Sequence, residues 1–274
     1  MPTVDVRVSG GTSTVHYLVT GSGPGLVLAH GTGATGETNW APLIDAVSDR
    51  FTIVAPDLSG SGATTDPGGP ILVEDLVAQL LGAADHAGLT DFHLAGHSLG
   101  AVVATAAAAA RPDRVRSLVV HAGWARTDAW MRHQFDLWLR LARADHELLA
   151  RLLQVTAMGD DTLRARSDAD FAAATAGFTA SLDGATSGFI RQTEADIAVD
   201  ITSALPRITA PTLVVASADD RIVPPHHQRE LADLIPGAAL VEVPGGHGLP
   251  FENPDLFTTT IVDHLDRQVM AAAS

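Results

Sequence analysis

Hydrophobic and polar positions alternate along residues 4–8 and 14–19, the period-two pattern of strands with one face in a core. Ser9-Gly10-Gly11 between them predicts a hairpin turn. Residues 25–29 and 51–55 are instead short unbroken apolar runs, as expected of strands buried on both faces. Residues 92–96, 115–120, 211–217 and 240–243 read as further strands. Between them the apolar period lengthens to that of a helix. It does so over 39–47 (Trp40, Leu43, Ile44, Val47), over 71–87 (Leu72, Leu76, Leu80, Ala84) and over the Ala-rich 99–110, which Pro112 closes. Residues 224–234 and 254–269 are the last two helices, and 270–274 reads as a frayed tail.

Strand and helix alternating in this way predict an α/β fold: a mostly parallel, doubly wound sheet with helices on both faces. The rhythm breaks after Gly123. From Trp124 to about Ala204 the period is helical only (Trp130, Phe135, Leu137, Leu141, then Leu148, Leu149, Leu152), and three of the four Trp fall here. This predicts an inserted helical cap over 124–204, with a core built from 1–123 and 205–274. No internal repeat is present.

The stretch Gly96-His97-Ser98-Leu99-Gly100 lies where the 92–96 strand turns into the 99–110 helix. A strand that turns at once into a helix leaves its middle residue on a strained elbow, with the side chain pushed into a cleft. Only small residues fit two positions either side. Ser98 is therefore the candidate nucleophile. A serine hydroxyl needs an adjacent base, and the base needs an acid to orient it. The chain supplies both in the order acid, then histidine: Asp219 or Asp220 just past the 211–217 strand, and His247 just past the 240–243 strand. In a doubly wound sheet the carboxyl ends of parallel strands open on one edge, so these side chains can converge.

Composition narrows the chemistry. The 274 residues include no Cys, which removes disulfides and thiolate catalysis, and no Lys, which removes Schiff-base chemistry; all 17 basic residues are Arg. A net charge of −15 argues against nucleic acid or an anionic membrane as partner. There is no signal-peptide pattern and no apolar run of the ~18–20 residues a span needs, so a cytoplasmic protein acting on a small molecule is expected. No metal or other cofactor is expected: His93 and His97 share a strand face, but no carboxylate completes a set. His97 is expected to pack under the elbow and His226-His227 to start a surface helix. The Gly-rich 21–25 segment precedes a strand and reads as a turn. Asp57 is expected to order its own loop.

Several motifs together resemble the α/β-hydrolase superfamily over nearly the whole chain. They are His30-Gly31, Asp57-Leu58-Ser59-Gly60-Ser61-Gly62, Gly96-His97-Ser98-Leu99-Gly100, Arg111-Pro112-Asp113-Arg114-Val115, Pro211-Thr212-Leu213-Val214-Val215, and Gly246-His247 with Glu252-Asn253-Pro254. The resemblance implies a capped serine hydrolase with a Ser98-Asp220-His247 triad, Asp220 being the acid that matches the family position. It implies an oxyanion hole from the backbone N–H groups of Leu99 and Thr32. His30, Trp124, Trp130 and Trp138 are candidate pocket residues, His30 with a structural role as well. The 31–36 loop with Asn39-Trp40 is similar to that of meta-cleavage product hydrolases, but has Ala34 where proline is usual and Gly248 where an aromatic is frequent. Esterases and enol-lactonases share the same triad. The expected activity is hydrolysis of an ester or lactone of a small to medium apolar molecule through an acyl-enzyme. The alternatives are carbon–carbon bond hydrolysis, acyl transfer or thioester cleavage, haloperoxidase-like chemistry, and a ligand receptor. Oligomeric state is open.

Overall fold

The computed structural model describes residues 1–272. Eight strands form one sheet: β1 (Thr3–Val8), β2 (Gly11–Thr20), β3 (Gly25–Ala29), β4 (Thr52–Pro56), β5 (Phe92–His97), β6 (Val115–His121), β7 (Thr212–Ser217) and β8 (Ala239–Val243). Their spatial order is β1-β2-β4-β3-β5-β6-β7-β8. β1 and β2 pair antiparallel with Val8 opposite Gly11, so Ser9 and Gly10 make the turn. β2 also runs antiparallel to β4, and every other pairing is parallel.

Alternation within each buried strand divides the core. Val27 and Ala29 of β3 face one cluster, with α2 (Val73–His86) and α3 (Leu99–Ala110); Leu26 and Leu28 face the other. The second cluster is closed by α1 (Gly36–Val47) and α11 (Pro254–Ala272), where Trp40 stacks on Phe257 at 5.5 Å. After β3 the chain moves outward to β4, then crosses back to β5 on the other side. The edge where the order reverses is the crevice of a doubly wound sheet, and the loops after β3 and β5 meet there.

Between β6 and β7 lie α4 (Ala129–Ala144), α5 (His146–Ala157), α6 (Asp160–Ala165), α7 (Asp168–Ser181) and α8 (Thr186–Ala198). The buried stripe of α4 is Met131, Phe135, Trp138 and Ala142, spaced four, three and four apart. Trp130 and Leu137, read as part of the apolar period, lie on the opposite face and are exposed. α9 (Pro225–Leu234) follows β7, and a short α10 (Leu249–Glu252) precedes α11.

Boundaries shift where a cap decides them. α1 starts three residues before Asn39, because Thr35 and Thr38 bond each other's backbone in a capping box. Leu72 is the N-cap of α2 and is exposed, not part of its buried face. Of the expected frayed tail, Met270 to Ala272 continue α11, and 273–274 lie outside the described residues. Among the described residues no helix is long and apolar enough to cross a membrane.

Candidate active site

Ser98 sits between β5 and α3 with φ 56° and ψ −125°, a conformation that costs a non-glycine residue about 1–3 kcal/mol. Its neighbours show why the turn can be this tight. A Cβ on Gly96 would lie 2.3 Å from the carbonyl oxygen of Gly100, and one on Gly100 would lie 2.1 Å from that of Ala29. The Ser98 N–H is held by the carbonyl of His121 at 3.0 Å, which pins the elbow to the end of β6.

The Ser98 Oγ lies 2.9 Å from His247 Nε2. His247 Nδ1 lies 3.0 Å from Asp220 Oδ2 and 3.2 Å from Oδ1. Because a carboxylate only accepts, the ring proton belongs on Nδ1, and Nε2 is left to accept from the serine hydroxyl. Asp220 is fixed in turn: its Oδ1 accepts from the N–H groups of Ile222 (2.9 Å) and Val223 (2.8 Å). Of the two adjacent carboxylates, Asp219 faces elsewhere. It is half-buried and accepts from the Asp160 N–H at 3.1 Å, at the start of α6.

The His247 loop is clamped from both sides. Glu252 accepts from the N–H of Gly246 with one oxygen and from that of Gly159 with the other, and the Gly248 N–H donates to Ala157 at 2.7 Å. A Cβ on Gly246 would lie 2.3 Å from the Ala157 carbonyl, and one on Gly248 would lie 2.8 Å from the methyl of Met158. The chain after α5 thus occupies the space that an aromatic at 248 would need.

In the loop after β3, three of four successive N–H groups are taken. Gly31 donates to Asn39 Oδ1 (3.0 Å), Gly33 to Gln192 Oε1 (2.8 Å) and Ala34 to the Gly31 carbonyl (3.2 Å). The Thr32 N–H makes none of the described hydrogen bonds. Gly31 packs against Ser98, where an added Cβ would lie 3.0 Å from the serine Cβ. The first N–H of α3, on Leu99 directly after Ser98, is likewise without a described partner. Ser98 itself is buried, 8% exposed.

The remaining candidates fall out as follows. His30 is buried with both ring nitrogens on backbone: Nδ1 donates to the Gly31 carbonyl (2.8 Å) and Nε2 accepts from the Leu58 N–H (2.9 Å). Burial lowers its pKa. It ties the β3 and β4 loops together and offers no polar atom to a pocket, so only its structural role is seen. Trp124 is buried and donates from its indole to Thr127 Oγ1 at 2.8 Å. Trp138 packs edge-on against Phe135 (5.1 Å) and stacks on Phe189 (6.2 Å). Trp130 corrects the pocket expectation: it is 52% exposed and stacks on His226 at 6.4 Å, because it lies off the buried stripe of α4. Asp57 reaches beyond its own loop and accepts from the Gly36 N–H at 2.9 Å, which anchors α1. His97 is buried under the elbow, with its Nδ1 2.9 Å from that of His121 and its ring 5.1 Å from His247. Burial holds His97 well below its usual pKa and brings His121 to about 3, so both stay neutral beneath His247. The one grouping of metal-ligand side chains among the described residues is Asp128, His226 and His227, and it shares no hydrogen bond with the Ser98 site.

Three residues of α8 carry a role that the sequence did not suggest. Gly188, Gln192 and Asp196 are four apart and share a face, which lies on the loops after β3 and β4. Gly188 permits the approach: a Cβ there would lie 1.9 Å from the Gly60 carbonyl. Gln192 accepts from Gly33 and donates to the Ser59 carbonyl and the Ser61 hydroxyl, both at 2.9 Å. Asp196 Oδ2 accepts from the Thr32 hydroxyl at 2.8 Å, and burial raises its carboxyl to about 7. Phe189 of the same helix lies against Gly33, where a Cβ would come within 2.9 Å of its ring. A polar stripe at helical spacing reads as a solvent face, so sequence gave no signal for Gln192 or Asp196.

An eight-stranded, mostly parallel sheet with a serine at the elbow of its switch-point strand defines an α/β hydrolase. The family described as alpha/beta hydrolase fold matches residues 24–254, and the chain belongs to it. It is 37% identical to the pyrrolizixenacetamide deacetylase of Xenorhabdus hominickii over 92% of this chain and 94% of that one. It is 30% identical to RutD of Azorhizobium caulinodans, named as a carbamate hydrolase, over 92% and 95%. Among solved structures, the enol-lactonase of Burkholderia xenovorans LB400 matches with a TM-score of 0.83 and 28% identity, over 96% of this chain and 100% of that one. The family and these relatives make the protein a hydrolase.

Proposed function

We propose that the protein hydrolyses an ester or lactone of a small to medium apolar molecule through an acyl-Ser98 intermediate. The observation that carries this is the unbroken chain from Ser98 Oγ through His247 to Asp220, set beside the two unpaired N–H groups of Thr32 and Leu99. His247 takes the Ser98 proton as Oγ attacks the substrate carbonyl, and Asp220 holds the resulting imidazolium. The carbonyl oxygen, now an anion, sits at the Thr32 and Leu99 amides, where each fixed donor contributes about 3–4 kcal/mol in the transition state. His247 gives the proton to the leaving alkoxide, then draws one from the water that attacks the acyl carbon and passes it to Ser98 Oγ as the Oγ–carbon bond breaks, which releases the carboxylic acid. In this reading α4–α8 form a cap over Ser98, and the aromatic packing of Phe135, Trp138 and Phe189 supplies its apolar interior.

A second reading is cleavage of a carbonyl bonded to nitrogen. Two relatives are named for an acetamide and a carbamate, and Asp196 places a buried acceptor next to Thr32. Both readings use the same serine. Replacing Ser98 with Ala should lower kcat/KM on a panel of 4-nitrophenyl esters and aliphatic lactones by about 10⁴-fold or more. Hydrolysis unchanged by this substitution would sink the assignment.

A further inference from the structure

Asp196 is the one acidic side chain of α8 that is both buried and short of partners. It is 2% exposed. Its Oδ2 is bonded to the Thr32 hydroxyl, while its Oδ1 is buried and has no hydrogen-bond partner. Buried carboxylate oxygens are ordinarily satisfied by an N–H or a cation. None of the described ion pairs joins an Arg to it, and its hydrogen-bonded neighbour Thr32 belongs to the loop beside Ser98. Thr32 beside it carries the free backbone N–H, and Gly31 before it packs on Ser98. The side chain that carries the unpaired oxygen is thus one hydrogen bond from Thr32, the residue whose free N–H is proposed to hold a carbonyl under attack. For an ester, the neighbouring atom is an oxygen with no hydrogen to give. For a secondary amide or a carbamate, it is an N–H.

We propose that Asp196 is a substrate-binding residue that fits this site to amides and carbamates, its Oδ1 accepting a hydrogen bond from the N–H attached to the carbonyl that Ser98 attacks. The proposal rests on the acyl-Ser98 reading. The Ser98 Oγ–carbon bond forms and the carbon–nitrogen bond breaks. The proton removed from Ser98 passes through His247 to the departing nitrogen, which leaves as an amine. Water, activated by His247, then releases the acid. Asp196 transfers no proton in this sequence; it orients the N–H and stabilises it through the tetrahedral stage. A site built to bond an N–H discriminates strongly against a substrate that lacks it, since the buried acceptor is then left bare.

Three acyl donors with the same acetyl and nitroaryl groups test this: 4-nitroacetanilide, its N-methyl derivative, and 4-nitrophenyl acetate. The wild-type protein should prefer the N–H amide to the N-methyl amide by about a hundredfold or more in kcat/KM. Asp196→Asn keeps an oxygen for the Thr32 hydroxyl but presents NH2 where the free oxygen was. The ratio of amide to ester kcat/KM should therefore fall by about thirtyfold or more. A ratio unmoved by Asp196→Asn, or equal cleavage of the two amides by the wild type, overturns the proposal and assigns Asp196 to holding Thr32 alone. Ester cleavage with no amide cleavage also overturns it, and leaves acyl-Ser98 standing. Failure of both ester cleavage and fluorophosphonate labelling at Ser98 in the wild type would instead remove the acyl-enzyme reading itself.

Discussion

Gln192→Ala should damage both the stability of the protein and its turnover, and the structure gives the size of each effect. The Gln192 carboxamide is fully buried and joins three groups from two loops: the Gly33 N–H at 2.8 Å, and the Ser59 carbonyl and Ser61 hydroxyl at 2.9 Å each. Each such bond contributes about 1 kcal/mol net, and a buried partner left bare costs more. The substitution should then destabilise the fold by about 3 kcal/mol. At roughly 2–4 °C per kcal/mol for a chain of this size, the denaturation midpoint falls by about 6–12 °C. Turnover suffers separately. Gly33 is next to Thr32, and without its anchor the Thr32 N–H loses its direction. A displacement on the order of 1 Å near the reacting atoms lowers kcat by about ten- to a hundredfold. Thermal denaturation followed by circular dichroism, with ester kinetics measured well below the midpoint, reads both effects. A midpoint within about 2 °C of wild type together with unchanged kcat would refute the claim that Gln192 holds the loop.

Other substitutions separate neighbours that the structure treats differently. Asp220→Ala should lower kcat by about 10³–10⁴-fold, while Asp219→Ala, which loses only a contact to α6, changes it by less than about threefold; equal losses would contradict the geometry. Trp138→Ala removes a side chain packed on Phe135 and Phe189 and should cost about 3–5 kcal/mol, whereas Trp130→Ala at the surface should stay within about 0.5 kcal/mol in chemical denaturation. Asp196 also sets a pH dependence. Burial raises its carboxyl to about 7, with the Thr32 hydroxyl and His247 pulling the other way. Between about pH 4 and 7 the folded protein keeps a proton that the unfolded chain has lost, so this contribution to stability is full at low pH and is lost as pH rises to 7. Asp196→Asn should flatten the denaturation midpoint across that window and raise it relative to wild type above it; parallel curves for the two proteins would refute the assignment.

The fold was legible because its strands are short and apolar and its helices keep one buried stripe. β3, α3 and the elbow fall where the pattern places them, since Gly96 and Gly100 leave the backbone room for only one kind of turn. Ser98 and His247 could be named because each follows a strand end on the same edge of the sheet; position alone left Asp219 and Asp220 open, and Asp220 came from the family resemblance. The helices between β6 and β7 were less legible. α4 carries apolar residues on two faces, and the period read from the sequence mixed Trp130 and Leu137 of the exposed one with Phe135 of the buried one. In α8 the buried face is Gly188, Gln192 and Asp196, so the usual link between burial and hydrophobicity is reversed. What makes that face an interior is the pair of loops it lies on, and their approach is set by the tertiary fold.

The most direct test of the central claim is covalent. The protein treated with a fluorophosphonate should gain one adduct, found by peptide mapping on Ser98 and absent from His247→Ala over the same time. Ester hydrolysis should stop in step with labelling. Adduct on a different serine, or hydrolysis that continues after Ser98 is fully modified, would contradict the assignment of Ser98 as the nucleophile.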